Sequence, residues 1–385
     1  MKIDKSNPMH WILLIVSALF IFIAIPFRIF RNRKIKTVVF FYQMHGNSRA
    51  LADYICKYDK SIRMYFLAFP GYLEIYKGKQ NLPTLNMLNL KDMIRVAQSD
   101  VIVTNYEALT LLYLAKLTDI KFVDVWHGLP MLKNQTPKIL NYLNSYEEIW
   151  VSSNIMKEFY LNRYQLKSKI VSTGYGRVDN LINGSFKDVK KRYSIPDKKV
   201  IMIAPTWKQN DPSRSDLPFG MSQDELLSHL NEFAKSTNSF IIFRAHMLSD
   251  GSLNNVSEHI RSMPTRDYPD TEELLSITDI LVTDWSSLVF DFLVLDRPVI
   301  FININAPFQG DDLRRRSTPE NRFSDIIDDF ESFEKIIKSY LKNPNKYLKK
   351  NSDSIIKVKE IAYGNTADGR STERYYKRLK SLLGN

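Results

Sequence analysis

The sequence predicts an α/β protein of two successive doubly wound domains, each a parallel sheet with helices on both faces, behind an N-terminal membrane helix. Three observations carry that expectation. Ten short apolar, β-rich runs are bounded by polar turns, amphipathic segments separate most of them, and one uncharged apolar run lies near the N-terminus.

The first element is WILLIVSALFIFIAIPF, Trp11 to Phe27, 17 residues without a charge. A helix crossing the hydrocarbon core needs roughly 20 apolar residues, with a lower limit near 17. The flank after it, RIFRNRKIK, carries five basic residues against two lysines before it. That excess predicts a single-pass helix in the cell membrane with the following domains in the cytoplasm. Pro26 leaves a second geometry open, a kinked monotopic anchor lying in the interface. A cleaved signal peptide fits poorly, because its dominant positive charge would precede the apolar run. Residues 1–34 are thus read as anchor and basic flank.

Residues 35–185 read as the first domain. Its strands are TVVFFY (Thr37–Tyr42), MYFLAF (Met64–Phe69), DVIVTN (Asp100–Asn105), KFVDVW (Lys121–Trp126), EIWVSS (Glu148–Ser153) and KIVSTG (Lys169–Gly174), with a helix near Ser48–Tyr58. The charged stretch Ser185–Lys199, which contains Pro196, is the expected crossing between domains. Residues 186–385 restart the rhythm with VIMIAPTW (Val200–Trp207), SFIIFRAH (Ser239–His246), DILVTDW (Asp279–Trp285) and PVIFIN (Pro298–Asn303). Helices are expected near Ser222–Lys235, Glu272–Thr278 and Ser286–Leu295. A lysine-rich helical tail from Phe330 onward is assigned to this second domain. Short apolar runs alternating with helices argue for Rossmann-like sheets covered on both faces.

Charge narrows the partners. The net charge of +12 divides into +6 over residues 1–36, +9 over 335–385 and −3 over the middle. A nucleic-acid binder carries its basic patch on a folded domain, so no nucleic acid is expected. Basic ends around a slightly acidic core predict attraction to an anionic membrane surface instead. Cys56 is the one cysteine, which excludes an intrachain disulfide and a cysteine-based zinc site.

In open α/β sheets, ligands bind beyond the carboxyl ends of the strands. That rule selects His127, directly after KFVDVW, and His246, at the end of SFIIFRAH. Two imidazoles at strand ends of different domains suit one shared cleft; the competing reading is that each caps a strand through its backbone. In DVWHGLP, Trp126 is expected to pack in the core and Gly128 to let the backbone turn tightly beside a ligand. VTDWSSLVFDFLVLDRP places Asp284 at a strand end and Ser286 and Ser287 at a helix start. Serine there is an ordinary N-cap, or else part of a phosphate cradle with the N–H groups and positive dipole end of the helix. Arg244 shares a strand face with His246 and is a candidate for bidentate phosphate binding. Thr206, Trp207 and Arg177, near other strand ends, complete the substrate-binding set.

Other chemistries lack their motifs. The chain has no P-loop, dinucleotide fingerprint or nucleophile elbow, and no His, Cys and carboxylate cluster at metal-ligand spacing. Neither a bound metal nor a cofactor is expected.

Seven stretches in order, HGNSRALADYI, VWHGLPMLKN, GYGRVDNL, IAPTWKQND, FRAH, VTDWSSLVFDF and ADGRSTER, resemble motifs of the CDP-glycerol glycerophosphotransferase family of teichoic-acid and capsule synthesis. The resemblance covers residues 37–380. It implies a fold of the glycosyltransferase-B type, association with the cytoplasmic membrane face, and transfer of glycerol phosphate from CDP-glycerol. The implied acceptor is a hydroxyl of a lipid-linked or polymeric cell-wall or capsule glycan precursor, with CMP released. By motif, His127 is implied as general base, His246 as the residue at the donor pyrophosphate, and Ser286 and Ser287 as donor-phosphate contacts. The chain departs from the family pattern at Leu129, Gly176, Ala245, Met247 and Trp285. These departures keep CDP-ribitol or another CDP-alditol open as donor.

The chemistry is consistent with that resemblance. An acceptor hydroxyl keeps its proton near neutral pH, so a neutral imidazole must take it as attack proceeds. Charge growing on the departing CMP would be stabilised by Arg244, His246 and the Ser286–Ser287 turn. Two other classes stay open: glycosyl transfer from a nucleotide sugar on the same scaffold, and a non-catalytic membrane scaffold.

Overall fold

Thr37 to Phe41 form strand β1, buried at all five positions, as a central strand covered on both faces must be. The computed structural model describes residues 7–78, 81–105, 108–132, 141–206, 217–244, 257–304 and 319–384. By residue contacts the chain divides into two compact units. One comprises residues 1–127, 137–179 and 368–385; the other comprises 128–136 and 180–367.

In the first unit, β1 pairs in parallel with β2 (Arg63–Ala68) and β4 (Val101–Thr104). Adding β3 (Thr84–Asn86), β5 (Lys121–Asp124), β6 (Glu148–Val151) and β7 (Lys169–Ser172) gives a seven-stranded sheet of order β3-β2-β1-β4-β5-β6-β7. In the second unit, β8 (Lys199–Ala204), β9 (Ser239–Phe243), β10 (Ile260–Ser262), β11 (Ile280–Thr283), β12 (Val299–Ile302) and β13 (Ile326–Ile327) form a six-stranded sheet of order β10-β9-β8-β11-β12-β13. Among the described residues, every strand pairing in both sheets is parallel. The strand order reverses between β1 and β4 in one sheet and between β8 and β11 in the other. Those switch points open the crevices where such sheets bind ligands.

The ten strands expected from the sequence are present, each ending one to three residues earlier at the carboxyl end. β5 stops at Asp124 rather than Trp126. β3, β10 and β13 were not anticipated; all three are edge strands of two or three residues, too short for an apolar period.

The apolar N-terminal run forms α1 (Pro8–Ala24), whose first turn is capped by Asn7 through Met9 N–H. A 3-10 segment, Ile25–Phe30, continues it, with Pro26 near its start. Together Pro8–Phe30 is long and apolar enough to cross a membrane. One side of it is nevertheless committed to the first unit. Ser17, Ile21 and Ala24 are buried, and α1 packs on α4 (Leu90–Ala97) and α5 (Leu112–Leu117). Arg28 Nη1 donates to the carbonyls of Ala97 (2.7 Å) and Ser99 (2.6 Å), and Gln98 Nε2 donates to Phe27 O (3.1 Å).

The tail corrects the expected domain division. Residues 330–342 (α12) and 345–362 (α13) stay with the second unit, but the last helix, Ser371–Leu383 (α14), belongs to the first. It packs on α2 (Gly46–Tyr58), placing Tyr375, Leu379, Leu382 and Leu383 in the core with Leu51 and Ile55. The motifs GYGRVDN and ADGRSTER meet there. Asp179, in α7 (Gly176–Ile182), accepts from Ser371 N–H (3.0 Å), Thr372 N–H (2.6 Å) and Thr372 Oγ1 (2.7 Å), capping α14 from outside its own sequence. Burial pushes this carboxyl above its ordinary pKa against the pull of those donors. Gly174 has a left-handed φ of 81°, and a Cβ there would sit 2.1 Å from Ser371 Oγ, so only glycine lets α14 approach.

Removing the cap should therefore loosen the tail first. Asp179→Ala is expected to cost about 1–3 kcal/mol, the usual range for orphaning buried donors. Hydrogen exchange should show residues 371–383 losing protection ahead of β1 and β4.

Candidate active site

The first unit builds its site from the exit of β5. Asp124 is fully buried, and its Oδ1 accepts from Trp126 N–H at 2.6 Å while Thr104 Oγ1 donates to Oδ2 at 3.2 Å. The tether closes a tight turn in which Trp126 takes a left-handed φ of 48°. This corrects the expectation for Gly128: the sharp turn is made by a tryptophan, which rarely adopts that conformation. Trp126 is buried as expected, and its ring lies 4.5 Å from that of His127.

His127 is held on three sides by this unit. Its Nδ1 lies 2.9 Å from Asn105 O, just past the end of β4. A carbonyl oxygen only accepts, so Nδ1 carries a proton, and in the neutral imidazole the lone pair falls on Nε2. Arg177 Nη1 donates to His127 O at 2.6 Å. Asn47, buried at the start of α2, donates through Nδ2 to Val125 O (2.8 Å) and Trp126 O (3.2 Å) and accepts Arg177 N–H on Oδ1 (3.1 Å). The GYGR arginine, read from the sequence as a substrate contact, thus holds the backbone that carries the histidine. Asn47 and Asp124 were missed among the site residues. Neither carries a charge pattern that distinguishes it from the loop and strand around it.

In the second unit, Thr206 and Asp284 follow β8 and β11, adjacent strands in which Ala204 is in register with Thr283. Asp284 Oδ1 accepts from Thr206 N–H (2.7 Å) and Thr206 Oγ1 (2.5 Å), bridging the switch point. Ser286 and Ser287 follow, but the helix they precede, α11 (Leu288–Leu293), has six residues. Ser286 Oγ accepts from Leu288 N–H at 3.5 Å, and Ser287 makes no capping bond. The expected helix-start cradle therefore reduces to two hydroxyls on a turn. Gly128 belongs to this unit, and a Cβ on it would sit 2.9 Å from Ser287 Oγ. A side chain at Gly128 would make the Ser287 hydroxyl turn away.

Arg244 does not hold an open fork. It is buried, with Nη1 donating to Met263 O (3.0 Å) and Nη2 to Tyr268 O (2.9 Å) and Thr271 Oγ1 (2.7 Å). Burial lowers its guanidinium to about 10. It clamps the loop ahead of α10 (Thr271–Ile277) in place of the bidentate phosphate contact expected of it. His246 and Trp207 lie outside the described residues.

The model of the CDP-glycerol:poly(glycerophosphate) glycerophosphotransferase family matches residues 23–381. The chain belongs to this family. The teichoic acid glycerol-phosphate transferase of Staphylococcus aureus (strain NCTC 8325 / PS 47) is 29% identical over 312 residues, covering 72% of this chain and 77% of the relative. The teichoic acid poly(glycerol phosphate) polymerase of Bacillus subtilis (strain 168) is 26% identical over 310 residues, covering 73% of this chain but 40% of that protein. In three dimensions, the chain is similar to the wall teichoic acid polymerase TagF, with a TM-score of 0.75 at 17% identity over 97% of this chain and 94% of that one. This glycerophosphotransferase therefore shares the α/β, glycosyltransferase-B-like fold of that structure.

The buried carboxyl behind His127 gives a pH signature. Burial pushes Asp124 up to about 8, against an unfolded value of about 3.9. Between those values the unfolded chain has released a proton that the folded enzyme keeps, so stability falls as pH rises. Asp124→Asn, which keeps an acceptor for Trp126 N–H, should flatten the decline of Tm between pH 5 and pH 8.

Proposed function

We propose that this enzyme transfers glycerol phosphate from CDP-glycerol to a hydroxyl of a lipid-linked or polymeric cell-wall glycan precursor, with His127 as general base. The observation that carries this reading is the bond from His127 Nδ1 to Asn105 O, which makes Nε2 the basic nitrogen of the neutral ring. As the acceptor oxygen attacks the phosphorus bearing glycerol, Nε2 takes the hydroxyl proton. The bond from that phosphorus to the bridging oxygen breaks, and CMP leaves with the electron pair. The hydroxyls of Ser286 and Ser287 and the imidazole of His246 act on the donor phosphates, where hydrogen bonds that strengthen with developing charge lower the barrier. Asp284 acts indirectly by fixing Thr206 at the switch point. The names of the relatives support teichoic-acid synthesis as the setting.

His127→Ala should keep the fold and the affinity for CDP-glycerol while slowing CMP release by about 100-fold or more, the usual contribution of a positioned general base. Wild-type turnover in that variant would remove His127 from the chemistry. Donor assays with CDP-ribitol and nucleotide sugars, run beside CDP-glycerol, test the donor; turnover of a nucleotide sugar alone would overturn the reading.

We also propose that α1 anchors the enzyme in the plane of the cytoplasmic membrane face. Residues from Ser17 onward are tied to the folded unit, leaving Pro8 to Val16, about 14 Å of helix at 1.5 Å per residue. The hydrocarbon core is about 30 Å thick. The outward side exposes Trp11, Ile12, Ile15, Leu19 and Phe22, and Leu109, Tyr113 and Leu117 of the folded unit are exposed too. The Phe22 and Tyr113 rings lie 4.8 Å apart, joining the two sets into one apolar face. In a Cys56→Ser background, Met9→Cys should react with a membrane-impermeant thiol reagent only from the cytoplasmic side. Labelling from the outer side would establish a spanning helix instead.

A further inference from the structure

Arg322 lies four residues before β13 in the second unit and belongs to no motif singled out above. Its Nε and Nη1 are buried, and neither meets a hydrogen-bond acceptor. Its Cζ sits 4.5 Å from the ring centroid of Trp285. Asp284 attracts it through space, while burial disfavours its charge. A guanidinium stays protonated at neutral pH, so these N–H groups cannot be neutralised by releasing a proton. Each buried donor left unmet costs about 1–3 kcal/mol, more for a charged group.

The surroundings say what would satisfy them. The Arg322 guanidinium lies over the Trp285 ring, a contact that satisfies neither of the two unmet N–H donors. Nε–H and Nη1–H leave the planar group from different edges, so together they suit oxygens on the two phosphates of a diphosphate better than a single carbonyl or carboxylate. Asn321, the preceding residue, donates through Nδ2 to Met131 O at 2.5 Å. That ties Arg322 to the Gly128–Leu132 segment, whose first residue approaches Ser287 closely. Arg322, Trp285 and Ser287 thus gather beside the switch point bridged by Thr206 and Asp284.

We propose that Arg322 is a diphosphate-binding residue of the donor site, its Nε and Nη1 donating to non-bridging oxygens of the nucleoside diphosphate. The contrast with Arg244 supports this: one arginine of this unit has its terminal donors met by the protein, and the other has buried donors that the protein leaves unmet. The inference rests on the reaction proposed above only for the identity of the nucleotide.

Isothermal titration of the full chain with inorganic pyrophosphate, CDP, CDP-glycerol and cytidine tests it. Arg322→Gln should weaken pyrophosphate and CDP at least tenfold, leave cytidine unchanged, and raise the ligand-free Tm by removing two unmet buried donors. Arg322→Lys, which keeps a cation near Trp285 without the planar set of N–H donors, should fall between the two. Unchanged pyrophosphate affinity in Arg322→Gln, or a lower Tm with unchanged affinity, would overturn the proposal and leave Arg322 as a prop for Trp285. A wild-type chain that binds no pyrophosphate would overturn it as well. If CDP-glycerol is not turned over yet pyrophosphate binding depends on Arg322, the reaction assignment fails and the anion site stands.

Discussion

A buried carboxyl at the end of β5 holds the turn on which the chemistry of the first unit depends. Asp124 binds the N–H of Trp126 and keeps that residue in a left-handed conformation, which a bulky side chain adopts at a cost of about 1–3 kcal/mol. The turn ends the strand two residues early and brings His127 to the carbonyl of Asn105 at the end of β4. The tautomer follows from that contact. Asn47 and Arg177 then fix the carbonyls on either side, so the histidine is set by backbone geometry on three elements.

The same logic of backbone-directed polar side chains recurs elsewhere. Asp179 caps a helix almost 200 residues away in sequence, and Arg244 ties three points of one loop together. Thr206 and Asp284 close the switch point of the second sheet. Each side chain is buried with its partners, in an environment where an unmet donor is expensive. Arg322 stands apart because its buried donors have no such partner, which is why it points to a ligand rather than to the scaffold.

Much of the fold was legible because fully covered parallel strands read as continuous apolar runs. Runs such as TVVFF and VIMIA are buried at nearly every position. The edge strands β3, β10 and β13 escaped because they pair on one side over two or three residues. That His127, Thr206 and Asp284 follow the carboxyl ends of strands was legible from the apolar runs alone. Arg177, Arg244 and the α14 segment were placed at the right strand end or helix, but their partners were not legible, since those lie far away in sequence. Local pattern carries no record of whether a guanidinium meets carbonyls or solvent. Arg322 left no trace in the sequence for the same reason: what marks it is the absence of a partner in space.

The central claim is that His127 presents an unprotonated Nε2 because Asn105 O holds the proton on Nδ1. Nitrogen-15 NMR of histidine-labelled enzyme at neutral pH, with the signal assigned by its loss in His127→Gln, reads that state directly. The account predicts a protonated, pyrrole-type Nδ1 and a bare, pyridine-type Nε2. A neutral imidazole with its proton on Nε2 would contradict it.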